Sequence, residues 1–289
     1  MASSSPRRRD LLRGLGLRFV VMKPPEGAEP PCSGAMGPKD WWEAWKMEAS
    51  ADLRAASNCE PKELGEVELR EGEGQVVYEV AGKGSNLCLR LYDPSEALTL
   101  AEVVREVQDS AAAKALGVAK ETALLTGSQE IEGELAVVGG ESSRLNSGRC
   151  LIVGADTVVV SGKDVLGKPR SQQEAEAMLS HLSGRWHHVV TGVAVQEYPT
   201  NRVVRACAVT AVKFRSLPQK DIAAYVNTGH PLDKAGAYGI QELGALLVEK
   251  IDGCYFNVVG LPLTVLKSLC LDLGEDLWEL RMFSRAGLD

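Results

Sequence analysis

The chain has 289 residues, 45% of them hydrophobic and 25% charged, which is typical of a folded protein with one large domain or two modest ones. Its formal net charge of -7 disfavours a nucleic-acid polymer as partner, because such binding needs many basic side chains against the phosphates. No apolar run approaches the roughly 20 residues of a membrane span, and the seven scattered cysteines lack Cys-x-x-Cys spacing, so we expect no membrane contact and a cytoplasmic, reducing location.

The first predicted element is a helix near the N-terminus. Ser5 has the residue type of an N-cap, and Pro6 suits the first helical position. Arg7 and Arg8 fall in the first turn, where unpaired backbone N–H groups already favour anions, so we predict an anion site there. A solvated basic cluster or part of a transit peptide are the alternatives.

Residues 27–94 are rich in Pro, Gly and Glu. Because a structureless loop of that length is unusual inside a domain, we predict an insert here, either a subdomain or a partly disordered segment. Within it, Gln75–Val80 and Leu87–Tyr92 are predicted to pair as a hairpin. The sequence then favours a helix over Ser95–Ala119, which carries Lys114.

The next strand contains the most informative residue of the chain. Asp156 stands within Cys-Leu-Ile-Val-Gly-Ala-Asp-Thr-Val-Val-Val, residues 150–160, so a carboxylate lies among apolar side chains. Burying a charge is costly unless the charge is paired. Lys163 and Lys168 follow in a turn-rich segment, and an acid with nearby lysines suggests a site for a metal ion and phosphate. A turn cap or a simple ion pair is the alternative.

Strands and helices alternate over the rest of the chain. A helix begins at Ser171, with Glu174 as its capping-box partner. Of His187 and His188, one is expected to point inward and the other outward. The further elements are strands at Trp186–Gln196, Val203–Phe214 and Ala245–Ile251, helices at Leu217–Tyr225 and Leu261–Leu273, and a glycine-rich turn at Asp233–Gln241. This alternation predicts an α/β fold with a mixed, twisted sheet flanked by helices.

Two common phosphate-binding motifs, Gly-x-x-x-x-Gly-Lys-Ser/Thr and Gly-x-Gly-x-x-Gly after a strand, are absent from the sequence, which disfavours a P-loop kinase or a dinucleotide oxidoreductase. Instead, eight polar clusters occur in order between apolar segments. They are Ser3-Ser4-Ser5-Pro6-Arg7-Arg8, Lys114-Ala115, Gly154-Ala155-Asp156-Thr157, Gly167-Lys168-Pro169, Leu182-Ser183-Gly184-Arg185, Thr191-Gly192-Val193, Asp233–Gln241 and Asn257–Pro262.

This ordered set closely resembles the Maf-like nucleoside triphosphate pyrophosphatases, over residues 1–26 and 95–267. The resemblance implies one domain of residues 1–267 with two lobes around a central cleft, interrupted by the insert, and a C-terminal extension of residues 268–289. It implies a hydrolase that converts a nucleoside triphosphate to monophosphate and pyrophosphate with Mg²⁺ or Mn²⁺, and a homodimer as a possible assembly. The form Ala-Gly-Ala-Tyr-Gly-Ile-Gln at 235–241 indicates the branch that acts on dTTP and UTP and not on 7-methyl-GTP.

The resemblance also implies roles for single residues. The matched positions are Asp156 as proton acceptor and metal ligand, Lys114 and Lys168 beside the phosphates, and Arg8, Thr157 and Gln241 in the choice of substrate. The second acid of the metal site is harder to place, and Glu26 and Glu29 are the candidates. Hydrolysis needs an activated water and cations that spread the developing charge, so Ser5 and Arg7 are expected to bind the triphosphate with Arg8 and the two lysines. The Gln241 amide suits a uracil or thymine edge, because it both donates and accepts.

Several expectations stay open from the sequence. Asp233 and Lys234 either contact the substrate or form a local ion pair that holds the glycine-rich loop. Only Met1 and Ala2 precede Ser3, where the family usually has a strand, so a truncated first strand is expected. The alternative functions are a non-enzymatic, nucleotide-binding regulator of cell division and a purine (inosine-type) nucleoside triphosphate pyrophosphatase.

Overall fold

The computed structural model describes residues 1, 5–17, 19–23, 68–72, 75–80, 87–91, 97–126 and 150–280. In chain order these contain α1 (Pro6–Gly14), β1 (Glu68–Gly72), β2 (Gln75–Val80), β3 (Leu87–Leu91), α2 (Ala97–Thr126), β4 (Cys150–Ser161), β5 (Asp164–Leu166), α3 (Gln172–Leu182), β6 (Trp186–Tyr198), β7 (Val203–Phe214), α4 (Gln219–Asn227), β8 (Val248–Asp252), α5 (Tyr255–Val259) and α6 (Leu263–Asp272). Three short 3₁₀ segments, His230–Asp233, Ala235–Ala237 and Glu242–Leu247, lie between α4 and β8.

A five-stranded sheet forms the centre of the described structure, in the order β5-β4-β6-β7-β8. Its four strand pairings are all antiparallel. The prediction of a mixed sheet is therefore wrong for the described strands. Tight turns connect β4 to β5 and β6 to β7, and a hairpin allows only antiparallel neighbours. The other two pairs, β4 with β6 and β7 with β8, are connected through helices, which leave either direction open, and both pairs are antiparallel. The α/β class is confirmed, and the two lobes around a cleft stay a prediction.

A second sheet lies within the predicted insert, where β1, β2 and β3 pair in that order. The predicted hairpin is confirmed, with Val76 of β2 opposite Leu91 of β3 and Val80 opposite Leu87. β1 was not predicted. The domain boundaries proposed from the sequence, including the ends of the insert and the C-terminal extension, stay predictions.

Helices cover both faces of the central sheet. On one face, α2 packs residues such as Val107 against Val190 of β6. On the other face, α3, α4 and α6 pack against β4, β6 and β7. Because both faces are covered, His187 and His188 of β6 are both buried, whereas strand alternation alone predicted one of them outside.

Two glycines allow α2 to approach the sheet closely. A Cβ on Gly154 of β4 would lie 2.1 Å from the carbonyl oxygen of Ala111, and a Cβ on Gly192 of β6 would lie 2.2 Å from that of Val107. No side chain fits at such distances, so glycine is required at both positions. Gly154 shares a strand face with Asp156, and Gly192 lies directly opposite Asp156. The two glycines therefore bring α2 up to this carboxylate.

The helix ends agree in part with the sequence signals. Ser171 accepts the backbone N–H of Glu174 at 3.1 Å, as predicted, but the Glu174 carboxylate accepts the N–H of Arg170 at 2.8 Å and not that of Ser171. α1 begins after Ser5 as predicted, although the Ser5 side chain makes no capping bond. α2 continues beyond its predicted end to Thr126.

None of the helices in the described ranges combines the length and apolar character needed to cross a membrane.

Candidate active site

A cavity of about 290 Å³ collects most of the residues to which the sequence assigned a site role. Ten of them line it: Ser5, Arg7, Arg8, Lys114, Asp156, Thr157, Lys168, Asp233, Lys234 and Gln241. They come from α1, α2, β4, the segment after β5 and the loop that follows α4. β5 pairs only with Val159–Ser161, so in the described sheet it does not cover the edge of β4 at Asp156 and Thr157. Glu26 and Glu29 lie outside the described residues, and their metal role stays a prediction.

Asp156 forms an ion pair with Lys114 of α2. The Lys114 Nζ donates to Oδ1 of Asp156 at 2.8 Å, with side-chain exposures of 7% for the lysine and 24% for the aspartate. Burial acts to raise the pKa of Asp156, but the charge and hydrogen bond of Lys114, with smaller contributions from Ser110 and Arg8, hold that pKa below its ordinary value. Asp156 is therefore an anion at neutral pH, with part of its carboxylate open to the cavity.

Arg8 points into the protein. Its Nε donates to the Gly260 carbonyl at 2.7 Å. Its terminal nitrogens donate to the Ala155 carbonyl at 2.7 Å and to the Thr157 hydroxyl at 2.9 Å. The protein itself thus uses at least three of the five N–H donors of this guanidinium. Arg8 fixes β4 to the residue that follows α5. Its predicted contact with the phosphates stays a prediction.

The Thr157 hydroxyl belongs to a directed series of hydrogen bonds. It accepts from Arg8 and lies 3.0 Å from the Thr191 hydroxyl, which donates to the Asn257 carbonyl at 3.1 Å. Because a guanidinium only donates and a carbonyl only accepts, Thr157 must give its own proton to Thr191. Thr157 therefore has no proton for a ligand, and it can affect substrate choice only as an acceptor or through the position of β4.

Asp233 bridges two cations at the wall of the cavity. The Arg7 Nη1 donates to its Oδ2 at 3.3 Å, and the Lys234 Nζ donates to its Oδ1 at 2.5 Å. The local ion pair considered from the sequence is therefore present, and it extends to Arg7 of α1. Burial alone would raise the pKa of Asp233, but the hydrogen bond and charge of Lys234, together with Arg7, lower it.

Lys168 and Gln241 line the same cavity and have no hydrogen-bond or ion-pair partner within the part of the chain that the structure describes. A backbone hydrogen bond connects the two chain segments that carry these residues. The carbonyl of Gly167 accepts the N–H of Gly236 at 3.0 Å, which ties the segment of Lys168 to the loop that ends at Gln241. Gly236 has φ of +66°, a conformation that favours glycine. An ammonium and an amide are thus available to a ligand.

Aromatic side chains hold the loop before Gln241. Tyr238 lies edge-on to the Phe214 ring, and its hydroxyl is 2.8 Å from Nε2 of His187. The hydroxyl of Tyr225 accepts the N–H of Gly239 at 3.2 Å. Burial, with some repulsion from neighbouring histidines, lowers the pKa of His187 to about 3, so this imidazole is neutral at physiological pH. The contacts therefore give His187 a structural role, because it holds Tyr238 in place.

Sequence reasoning missed the apolar wall of the cavity and one buried amide. Val189, Ile240 and Val258 line the cavity, and nothing in their pattern distinguishes them from ordinary core residues. The Asn257 side chain donates to the carbonyl of Val189 and to the hydroxyl of Thr210, each at 2.9 Å. The Asn257–Pro262 motif was the signal for this residue, and its role became visible only with the strands in place.

More cationic than anionic side chains line the cavity, although the protein as a whole has a negative net charge. Five cationic side chains line it, against the two carboxylates of Asp156 and Asp233. Each carboxylate is already paired with a lysine. A pocket lined mainly by one sign of charge attracts ligands of the opposite sign, so the arrangement suits a small polyanion.

Three proteins, each named dTTP/UTP pyrophosphatase, are similar to part of this chain. The protein of Acetivibrio thermocellus is 55% identical over 126 residues, which covers 44% of this chain and 62% of that protein. The proteins of Dictyoglomus thermophilum and Moorella thermoacetica are 50% and 56% identical over 127 and 128 residues, which covers 44% of this chain and 66% of each relative. The chain therefore spans slightly less than two thirds of the length of these relatives.

The family match is broader than these pairwise similarities. The family described as Maf-like protein matches residues 89–272, which is more than half of the chain. This range includes β4 with Asp156, Lys114 of α2, and the loop that carries Asp233, Lys234 and Gln241. The resemblance seen in the ordered polar clusters is thereby confirmed, and the chain belongs to the Maf-like family.

Proposed function

We propose that this chain hydrolyses dTTP or UTP to the nucleoside monophosphate and pyrophosphate. The observation that carries the proposal is a single cavity that contains the ionised carboxylate of Asp156 and the amide of Gln241. The same cavity contains the ammonium of Lys168, which has no partner among the described residues, and the cations of Arg7 and Lys234, which are paired with Asp233. The names of the similar proteins support the choice of pyrimidine nucleotides.

Cations at the cavity wall would bind the triphosphate. Lys168 is available without any rearrangement of the described residues, and Arg7 and Lys234 become available when Asp233 is displaced. Ser5 lies at the N-terminus of α1, where unpaired backbone N–H groups favour an anion. We assign these four residues to the phosphates, and Arg8 to the positioning of Thr157.

Asp156 would orient the attacking water and accept its proton. In this reaction, water forms a bond to the α-phosphorus while the bond from that phosphorus to the bridging oxygen breaks, and pyrophosphate leaves. Because the pKa of Asp156 is lowered, its carboxylate is ionised and ready to accept a hydrogen bond from water at neutral pH. Lys114 fixes one carboxylate oxygen, so the direction of the base is set before substrate binds. Lys168, Arg7 and Lys234 would stabilise the negative charge on the leaving pyrophosphate.

A divalent cation, Mg²⁺ or Mn²⁺, is part of the proposal. No cluster of three His, Cys, Asp or Glu side chains suited to a metal occurs among the described residues. Mg²⁺ at nucleotide sites is commonly held by one or two carboxylates together with phosphate oxygens and waters, so Asp156 fits as the protein ligand of a cation that binds with the triphosphate. Such a cation supplies charge neutralisation and a more acidic water.

Gln241 would recognise the edge of the base. Its amide has no partner in the described structure, and Val189 and Ile240 supply apolar surface in the same cavity. A uracil or thymine edge presents an N–H beside a carbonyl oxygen, which the carbonyl and amino groups of one amide can match.

Purified chain incubated with Mg²⁺ and one nucleotide at a time tests this proposal. The nucleotides are dTTP, UTP, CTP, ATP, ITP and 7-methyl-GTP, and monophosphate and pyrophosphate are both quantified. We expect dTTP and UTP to give the highest kcat/KM. A preference for ITP would favour the inosine-type alternative, and binding without any product would favour the non-enzymatic regulator.

Gln241→Ala is expected to lower kcat/KM for UTP about tenfold relative to ATP, because a buried hydrogen bond to the base is lost while the phosphate contacts remain. The melting temperature should change little, since the Gln241 side chain has no partner in the described structure. Gln173→Ala, on the exposed side of α3, is the matched control. Unchanged relative rates among the nucleotides would remove Gln241 from base recognition.

Lys114→Met is expected to move the acidic limb of the pH profile of kcat/KM to higher pH. Lys114 is the main group that lowers the pKa of Asp156, and burial, which raises that pKa, remains in the variant. A base with a raised pKa loses its charge at a higher pH as the solution is acidified. The measurement is kcat/KM from pH 4 to 8 at constant ionic strength, with Lys163→Met, on an exposed turn, as control. An acidic limb at the same pH in both variants would contradict this pairing.

The homodimer, the cytoplasmic location and the absence of a nucleic-acid partner remain part of the proposal. They are expectations from composition and from the family resemblance. Size-exclusion chromatography with light scattering measures the assembly directly.

A further inference from the structure

The Asp233 carboxylate binds two of the cations that the proposed function assigns to the phosphates. One oxygen accepts from Arg7 and the other from Lys234, so the two oxygens engage different cations. Arg7 lies on α1, and Lys234 follows the first 3₁₀ segment after α4, which means that the carboxylate joins two distant parts of the chain. A phosphate group would make the same kind of contact, with two oxygens directed at two cations.

We propose that Asp233 is a displaceable counter-anion, held by Arg7 and Lys234 at the place that a phosphate group of the nucleotide takes on binding. This inference rests on the proposed function of the cavity and adds a role that differs from direct substrate contact. It assigns a phosphate subsite to Arg7 and Lys234, separate from Lys168. It also makes Asp233 a determinant of affinity for both substrate and pyrophosphate.

The exposure of the three side chains suits displacement. The Asp233 side chain is 56% exposed, against 23% for Arg7 and 15% for Lys234. The carboxylate can therefore move into solvent at little cost in hydration, whereas the two cations stay at the cavity wall. Partly exposed ion pairs are weak, so a triphosphate with several negative charges can replace a single carboxylate.

The loop does not depend on this carboxylate for its conformation. The Lys234 ammonium also donates to the carbonyl of His230. Further along, Gly236 is bound to Gly167, and Gly239 is bound to Tyr225. These contacts leave Lys234 in place when Asp233 turns away, so the two cations are already arranged for the incoming phosphate.

The consequence for turnover is faster release of product. Pyrophosphate carries the same groups that bind Arg7 and Lys234 in the substrate. Because Asp233 competes for both cations, it lowers the affinity for pyrophosphate and returns to them when pyrophosphate leaves.

Binding of inorganic tripolyphosphate and pyrophosphate to Asp233→Asn, measured by isothermal titration calorimetry, tests the inference. Asparagine keeps the size and one acceptor oxygen but loses the charge, so we expect both anions to bind about tenfold more tightly than to the wild-type protein. Glu249→Gln is the matched control, because Glu249 pairs with Lys213 on the sheet surface at 3.0 Å and does not line the cavity. Asp233→Ser provides a second variant if the asparagine variant melts at a clearly lower temperature.

Each outcome decides the question. Weaker binding to Asp233→Asn would show that the carboxylate is a structural clasp, and unchanged binding would show that it does not compete; either result overturns the inference. An equal gain in Glu249→Gln would reduce the effect to net charge and overturn it too. Tripolyphosphate contains no base, so tighter binding with no hydrolysis of any nucleotide would support the counter-anion and contradict only the proposed function. An active enzyme whose Asp233→Asn variant binds both anions as tightly as the wild type does would support the proposed function and contradict only the counter-anion role.

Discussion

Asp156→Asn is expected to lower kcat for dTTP and UTP about 10³-fold, which is the usual contribution of a positioned general base. The amide oxygen can still accept the hydrogen bond from Lys114, so the side chain keeps its place against α2. The amide cannot take a proton from water, and it is a poorer ligand for a divalent cation. Steady-state rates with pyrophosphate detection measure the loss.

Asp164→Asn provides the control, because Asp164 is an exposed carboxylate on the neighbouring strand β5 whose partner is His181. We expect wild-type rates for this variant. Tripolyphosphate binding should persist in Asp156→Asn, since Arg7, Lys168 and Lys234 are unchanged. A loss of less than tenfold in kcat, or a parallel loss of folding, would contradict the catalytic role of Asp156.

Gly154→Ala is expected to reduce both stability and activity. The new Cβ would lie 2.1 Å from the carbonyl oxygen of Ala111, so α2 must move away from β4. Overpacking of this kind typically lowers the free energy of unfolding by about 1–3 kcal/mol. Lys114 lies on α2 less than one turn beyond Ala111, and it would move away from Asp156 with the helix. Denaturant unfolding measures the stability, and kcat/KM measures the activity.

Gly14→Ala is the matched control for this effect. A Cβ at Gly14 meets no atom within 4 Å, and the residue has no positive φ, so alanine there should be neutral or slightly stabilising. A Gly154→Ala protein with wild-type stability and rates would show that α2 and β4 are not as tightly coupled as the distances indicate.

Local signals predicted much of the architecture. The cap at Ser171, the hairpin of β2 and β3, and the long strands β6 and β7 follow from short-range turn chemistry and from periodicity. The pairing of Asp156 with a lysine also follows from the cost of burying a lone charge. Which lysine it is could not be read from the sequence, since Lys163 and Lys168 are close in sequence whereas Lys114 is brought in by the packing of α2.

The remaining features depend on tertiary contacts. Strand direction was mispredicted because alternation of strands and helices does not fix how a connection returns to the sheet. The inward turn of Arg8 depends on the carbonyls of Ala155 and Gly260, which only the assembled fold places together. The same holds for Asp233, whose partner Arg7 is 226 residues away in the chain. Side-chain roles at this site are set by such long-range neighbours.

Hydrolysis of dTTP or UTP in ¹⁸O-labelled water, with Mg²⁺ and mass spectrometry of the products, tests the proposed reaction most directly. Attack on the α-phosphorus predicts one ¹⁸O in the nucleoside monophosphate and none in pyrophosphate. Label in orthophosphate together with a nucleoside diphosphate would place the attack on the γ-phosphorus, and label in pyrophosphate would place it on the β-phosphorus. Label in pyrophosphate would contradict the proposed attack on the α-phosphorus. A nucleoside diphosphate with orthophosphate, or no product at all, would contradict the assignment of this cavity as a pyrophosphatase site.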